Sequence, residues 1–177
     1  MTTEPVTTAS ATPEPSIGVI GGSGLYEFLE GARQVEVETP FGALSDVITI
    51  GVVAGRQVAF LPRHGRQHQF PPHRIPYQAN MWALRSLGVR QVLAPSAVGS
   101  LRPEDAHGTL VIPDQLVDRT TSRTQTYYSE GGAVHIAFAD PYCPNGRAVA
   151  IATSDVAGWK AVPSGTLVVI EGPRFST

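Results

Sequence analysis

The sequence predicts an α/β fold, a single domain with a mixed, mostly parallel twisted sheet flanked by helices. Three observations carry this. Ile17 to Ile20, Val58 to Leu61 and Leu167 to Ile170 are short continuous apolar runs, the pattern of strands buried on both faces. Each run ends in a polar or Gly-rich cluster: Gly21-Gly22-Ser23-Gly24, Arg63-His64-Gly65-Arg66 and Glu171 to Thr177. Segments with helical apolar spacing lie between the runs, and alternation of the two types favours a parallel sheet over an all-β or all-α fold.

Residues 1 to 15, MTTEPVTTASATPEP, hold almost nothing large to bury and read as a disordered tail, leaving 16–177 as the domain. Ile17 to Ile20 is the first core strand. Val35 to Glu38 and Asp46 to Val53 alternate loosely around the turn-like Thr39-Pro40-Phe41-Gly42 and predict a hairpin or meander. Val58 to Leu61 is the next strand. Tyr77 to Ser86 carries Tyr77, Met81, Trp82 and Leu84 at helical spacing, with Pro76 before it and Gly88 as its stop, so a helix leads into the strand Gln91 to Ala94. Leu110 to Ile112, Leu116 to Val117 and Val134 to Ala137 are further strand candidates. Gly146 to Ala157 predicts a helix ended by Gly158, and Leu167 to Ile170 is the last strand.

Composition narrows the function. With 177 residues, 42% of them hydrophobic and 16% charged, the chain can bury a real core. A formal net charge of -2 without a Lys/Arg run argues against nucleic acid or an anionic membrane as the partner and for a small molecule. No apolar stretch is long enough to span a bilayer, and no basic segment followed by a hydrophobic one opens the chain, which predicts a cytoplasmic protein. Cys143 is the only cysteine, read as a buried spectator thiol, so no disulfide forms within one chain.

The clusters suit an anion and an aromatic neighbour. Small residues after Ile20 let backbone N–H groups approach a phosphate, and Ser23 adds a hydroxyl, although an ordinary tight turn explains this cluster equally well. The spacing matches neither the dinucleotide fingerprint nor the nucleotide-triphosphate loop. Arg63 at a strand end can grip phosphate through two hydrogen bonds while His64 supplies another donor. Arg66, His68, His73 and Arg74 follow, but no carboxylate or thiol stands beside them at ligand spacing, so no metal site is predicted and His68 and His73 read as solvated loop residues. Ser96, Ala97, Gly99 and Ser100 form another small-residue turn after a strand. Phe175, between Arg174 and Ser176, suits stacking on a planar base, while Arg174 equally suits an ion pair with Glu171. Asp114, Asp118, Asp140 and Glu171 are the acid or base candidates, with nothing in the sequence to choose among them. His107 sits in a turn-like segment, and His135 within an apolar strand reads as a core histidine.

In this order, IGVIGGSGLYEF, TPFG, PRHGRQH, YQANMWALRSLGV, SAVGSL, DRT, HIAFADPYCP and EGPRFST closely resemble the methylthioadenosine phosphorylase branch of the purine nucleoside phosphorylases. The resemblance runs from Ile17 to Thr177. It implies phosphorolysis of S-methyl-5'-thioadenosine to adenine and 5-methylthioribose 1-phosphate, in purine and methionine salvage, with no cofactor beyond phosphate as co-substrate. It also implies that Ser23, Arg63, His64, Ser96 and Ala97 hold phosphate, that Phe175 and Ser176 border the purine, and that a homotrimer forms in which His135 reaches a neighbouring subunit's substrate near its 5' substituent. Family members continue past this motif, so the C-terminal part of the domain is expected to be missing, and with it the Asp that protonates the departing base. Impaired activity and exposed apolar surface around Val168 to Ile170 are the corresponding expectations. A phosphorylase for 6-oxopurine nucleosides and a non-catalytic binding or assembly fragment are the alternatives.

Overall fold

The computed structural model describes residues 14–22, 30–159 and 161–174. They fall into two compact units, the described residues up to 70 with 74–96, and residues 71–73 with the described residues from 97 on.

The first unit is built on a five-stranded sheet. Its strands are β1 (Ile17–Gly21), β2 (Glu30–Val35), β3 (Ile48–Val53), β4 (Arg56–Pro62) and β5 (Gln91–Leu93), in the order β2-β3-β4-β1-β5. β1 runs parallel to β4 on one side and to β5 on the other, whereas β2-β3 and β3-β4 are antiparallel. The sheet is therefore mixed, and three adjacent parallel strands end on the same side. The predicted hairpin exists, but its first arm is β2 rather than residues 35–38. Thr39 still makes the expected turn, its carbonyl accepting from Gly42 N at 3.3 Å.

The main apolar core of this unit lies on one face of β3 and β4. Ile48, Ile50, Ala59 and Leu61 pack with Ala83, Leu84 and Val89, all nearly inaccessible, and Ile20, Val35, Val37, Leu44 and Leu87 close around them. The helix α1 (Tyr77–Ser86) has the predicted bounds but a rotated face. It buries Ala79, Asn80, Ala83 and Leu84, while Met81 is exposed. Small Ala79 and Ala83 let the helix lie close to the sheet, a signal that counting large apolar residues overlooks. The helix stops as the sequence predicts. Gly88, at φ 95°, donates to Arg85 O at 3.1 Å and Val89 donates to Leu84 O at 3.1 Å, the paired bonds of a Schellman end, with Val89 delivered into the core.

The second unit has a two-stranded parallel sheet, β6 (Gln115–Arg119) and β7 (Thr166–Ile170), and one helix, α2 (Pro144–Val156). α2 begins at Cys143, whose Sγ accepts from Gly146 N at 3.4 Å, and ends with Gly158 and Trp159 donating back to Asp155 O and Ser154 O. The thiol is exposed, not buried, because the N-cap position places it at the solvent-facing start of the helix. Arg147 fastens α2 to the chain leading into both strands, donating from Nε to Pro113 O at 2.8 Å and from Nη2 to Pro163 O at 2.5 Å.

Two predicted strands are not strands. Leu110 to Ile112 is reduced to an isolated bridge between Val111 and Val162. Val134 to Ala137 is irregular, and Val134 and Ile136 are exposed. Its alternation is real, but among the described residues no strand pairs with it, and an unpaired strand does not persist. Val168 in β7 is 44% exposed, in the region where apolar surface was expected, whereas Val169 and Ile170 are half-buried.

Candidate functional site

In an open α/β sheet, ligands bind beyond the carboxyl ends of the parallel strands. β4, β1 and β5 supply those ends here. The register pairs Gly21 with Pro62, so the chains leave β1 and β4 side by side, and Arg63 N donates to Gly21 O at 3.1 Å. Gly22 follows on one strand, Arg63 and His64 on the other. Ser96 lies three residues beyond β5 at the same end and is exposed.

The Arg63-His64 loop is braced from within. Gly65 N donates to Pro62 O at 3.2 Å, His68 N to Gly65 O at 3.1 Å and Phe70 N to His64 O at 3.1 Å. The His64 ring returns to the same residue, with Nδ1 2.8 Å from Phe70 O. A carbonyl only accepts, so Nδ1 carries the proton. Nε2 is then the free lone pair, and it accepts from Arg63 Nε at 3.4 Å. Arg63 is half-buried, which limits the water competing for its remaining guanidinium donors, whereas the His64 ring, with Nδ1 spent on Phe70 O and Nε2 accepting from Arg63, offers no donor to an anion, contrary to the sequence expectation.

Arg66 is engaged differently. Asp46 holds it through its backbone N–H at 2.7 Å and its guanidinium at 3.1 Å, so Arg66 serves the loop itself. His68 stacks on His64 with ring centroids 6.1 Å apart. His73 is half-buried with Nδ1 unpartnered, unlike the solvated residue that the sequence suggests. Among the described residues no group of three or more His, Cys, Asp or Glu is arranged to hold a metal ion.

Sequence reasoning missed the residues under the loop. Ser45 and Asn80 are buried, 1% and 3% exposed, and polar. Asn80 Oδ1 accepts from Ser45 N at 2.9 Å, Asn80 Nδ2 donates to Ser45 Oγ at 3.1 Å, and Ser45 Oγ donates to Pro62 O at 2.7 Å. The available signal was Asn80 itself, a polar residue three before Ala83 and four before Leu84 on the inward stripe of a helix.

In the second unit, Ala97 is exposed, as are Gly99 and Ser100, and the Ser100 hydroxyl closes on its own loop through Arg102. The register pairs Arg119 with Ile170, and Glu171 next emerges opposite the chain leaving β6. Its Oε2 accepts from Thr121 N at 2.6 Å, Ser122 N at 2.8 Å and Thr121 Oγ1 at 3.1 Å. The backbone donors of Thr121 and then Ser122 pull its carboxyl down to about 2. A carboxylate so engaged is a poor proton carrier. Its cation is Arg123, with Nε 3.9 Å from Oε1, rather than Arg174. Asp114 and Asp118 also face backbone N–H groups, of Gly165 and Thr120 respectively.

His107 is exposed in its turn, as expected. His135 is exposed too, and the core-histidine reading falls with the strand that suggested it. Ser23, Phe175 and Ser176 lie outside the described residues.

Three adjacent parallel strands in a mixed sheet, with Arg63 and Ser96 just beyond the ends of two of them, place the protein in the open α/β class. Residues 16–177 match the family model described as the phosphorylase superfamily, and the chain belongs to that superfamily. It is 59% identical over 169 residues to the purine nucleoside phosphorylase of Streptomyces coelicolor, covering 91% of this chain and 60% of that protein. Identity is also 59%, over 162 residues, to the S-methyl-5'-thioadenosine phosphorylase of Mycolicibacterium smegmatis, with 91% and 60% covered. A crystal structure of methylthioadenosine phosphorylase from an antarctic soil metagenomic library superposes with TM-score 0.85 at 43% identity, covering 93% of this chain and 59% of that one. The methylthioadenosine phosphorylase of Schistosoma mansoni in complex with tubercidin gives 0.83 at 34%, covering 93% and 67%. The chain spans about 60% of the length of the curated relatives just named.

Proposed function

We propose that this chain carries the phosphate-binding part of an enzyme that cleaves S-methyl-5'-thioadenosine by phosphorolysis. The observation that supports it most is the half-buried Arg63-His64 pair at the paired ends of β4 and β1, in a chain whose relatives are named for this reaction. A phosphate oxygen attacks the anomeric carbon, the glycosidic bond breaks, and its electron pair leaves with the purine, which takes up a proton from an acid. The products are adenine and 5-methylthioribose 1-phosphate. Arg63 carries most of the electrostatic work, holding the dianion against the cationic sugar that develops as the base departs. Ser23, Ser96 and Ala97 complete the phosphate shell, His64 takes part through Arg63, from whose Nε its ring accepts a hydrogen bond, and Phe175 and Ser176 border the base. Phosphate is the co-substrate, and the reaction uses no other cofactor or metal. The working assembly is a cytoplasmic homotrimer in which His135 faces the 5' substituent of a neighbour's substrate. Among the described residues no helix is long and apolar enough to cross a membrane.

The test is phosphate-dependent adenine release from methylthioadenosine by the 177-residue chain. Activity of this chain is expected to be impaired, and Arg63→Ala should lower its residual turnover by at least ~100-fold, since one donor to the reacting anion contributes about that much. Turnover unchanged by the substitution would remove Arg63 from the site. A second reading, cleavage of 6-oxopurine nucleosides, is favoured by the name of the Streptomyces coelicolor relative. Hypoxanthine release from inosine exceeding adenine release from methylthioadenosine would select it.

A further inference from the structure

We propose that Ser45, held in place by Asn80, is a positioning residue for phosphate, acting through the Pro62 carbonyl on the backbone that presents Arg63. The inference rests on the phosphorolysis reading of the Arg63-His64 site. Pro62 O is the junction. It accepts Ser45 Oγ at 2.7 Å and Gly65 N at 3.2 Å, so one carbonyl both anchors the end of β4 and closes the turn in which Arg63 and His64 sit. Ser45 cannot drift, because the Asn80 side chain grips its N–H and its hydroxyl at once. The far side of the loop is tied to the same short segment: Gln69 Nε2 approaches Ser45 O at 3.4 Å, and Asp46 takes the N–H and guanidinium of Arg66. Two consecutive residues, Ser45 and Asp46, thus fix Pro62, Arg66 and Gln69 around Arg63.

Burial makes this more than a local bond. A wholly apolar pair would fill the space without the desolvation that Ser45 and Asn80 carry, and what the polar pair adds is one defined geometry. Arg63 is the group that gains. Its bonds to an oxyanion are directional, and its anchor is the peptide next to Pro62.

The test is calorimetric titration of the 177-residue chain with inorganic phosphate, alongside Ser45→Ala and Arg63→Ala, with circular dichroism melts and 15N shifts of the His64 ring for each. Ser45→Ala should remain folded, bind phosphate about tenfold more weakly, the equivalent of one misaligned charge-assisted hydrogen bond, and average the His64 tautomers that wild type keeps apart. If Ser45→Ala does not melt cooperatively, Asn80→Asp replaces it, since it keeps the acceptor for Ser45 N–H and loses the donor to Ser45 Oγ, and the same shift is expected. A folded variant with wild-type affinity overturns the proposal. So does an affinity loss that only tracks the folded fraction, with His64 shifts unchanged. Wild type and Arg63→Ala binding phosphate alike, or not at all, overturns the phosphate reading itself and the positioning role with it.

Discussion

Gly65 shows how narrowly the anion loop is specified. It is buried at φ 74°, a conformation that costs a residue with a Cβ about 1–2 kcal/mol. A Cβ there would also meet the Gln69 amide, which approaches Ser45 O and accepts from Gln67 N at 3.2 Å. The amide can swing away only by releasing those contacts. Gly65→Ala should therefore destabilise the chain by about 1–3 kcal/mol, seen as a thermal midpoint lower by roughly 2–4 °C per kcal/mol. It should also weaken phosphate binding, because the same turn holds Arg63. A midpoint equal to wild type would mean that the loop adapts. The sequence makes part of this visible: Arg63-His64 after an apolar run reads as an anion grip from residue type alone. Ser45 does not, since its role depends on Asn80, 35 positions away, and no local pattern joins them.

At the scale of elements, what was legible followed from backbone punctuation. α1 and α2 end where Gly88 and Gly158 end them, and β1, β4, β5 and β7 coincide with short apolar runs. What failed depended on partners. Residues 134–137 alternate like a strand and find no partner among the described residues, and β2 includes Gly31 and Arg33, which no propensity would select, because pairing with β3 outweighs it. The junction of β6 and β7 depends on a partner too. Glu171 closes it, and its folded pKa of about 2 lies below the ordinary 4.5. Such a depressed carboxyl stabilises the fold fully above the unfolded value, and the contribution disappears as pH falls from about 4.5 toward 2. Glu171→Gln removes this titration. The variant should be less stable than wild type at neutral pH, and the gap should close across that acid window in chemical denaturation followed by circular dichroism. Parallel stability curves for the two proteins would show that Glu171 is not the group that titrates.

For the whole molecule, exposed apolar side chains occur along the chain, and one segment of the second unit gathers several of them. Tyr127, Tyr128, Val134, Ile136 and Phe138 are 44%, 50%, 52%, 69% and 59% exposed within a single irregular segment that also carries His135. Scattered exposed apolar residues are ordinary, but five within twelve positions form a stretch that water solvates poorly. Irregular backbone with apolar side chains gains order most readily by burial against another surface. The homotrimer reading supplies one: a second copy that covers Ile136 and Phe138 would bring exposed His135 into an interface. Sedimentation velocity over a concentration series tests this directly. The wild-type chain should self-associate, and Ile136→Glu with Phe138→Glu should shift it toward monomer, since each places an unpaired charge where apolar contact is needed. The double variant should keep its phosphate affinity, because neither residue belongs to the first unit that holds Arg63. A wild-type chain that stays monomeric throughout the series would count against the homotrimer and against His135 serving a neighbour, while leaving the Arg63 site untouched. Association that survives both substitutions would place the interface elsewhere, and the exposed β5 valine and leucine, Val92 and Leu93, would be the next residues to charge.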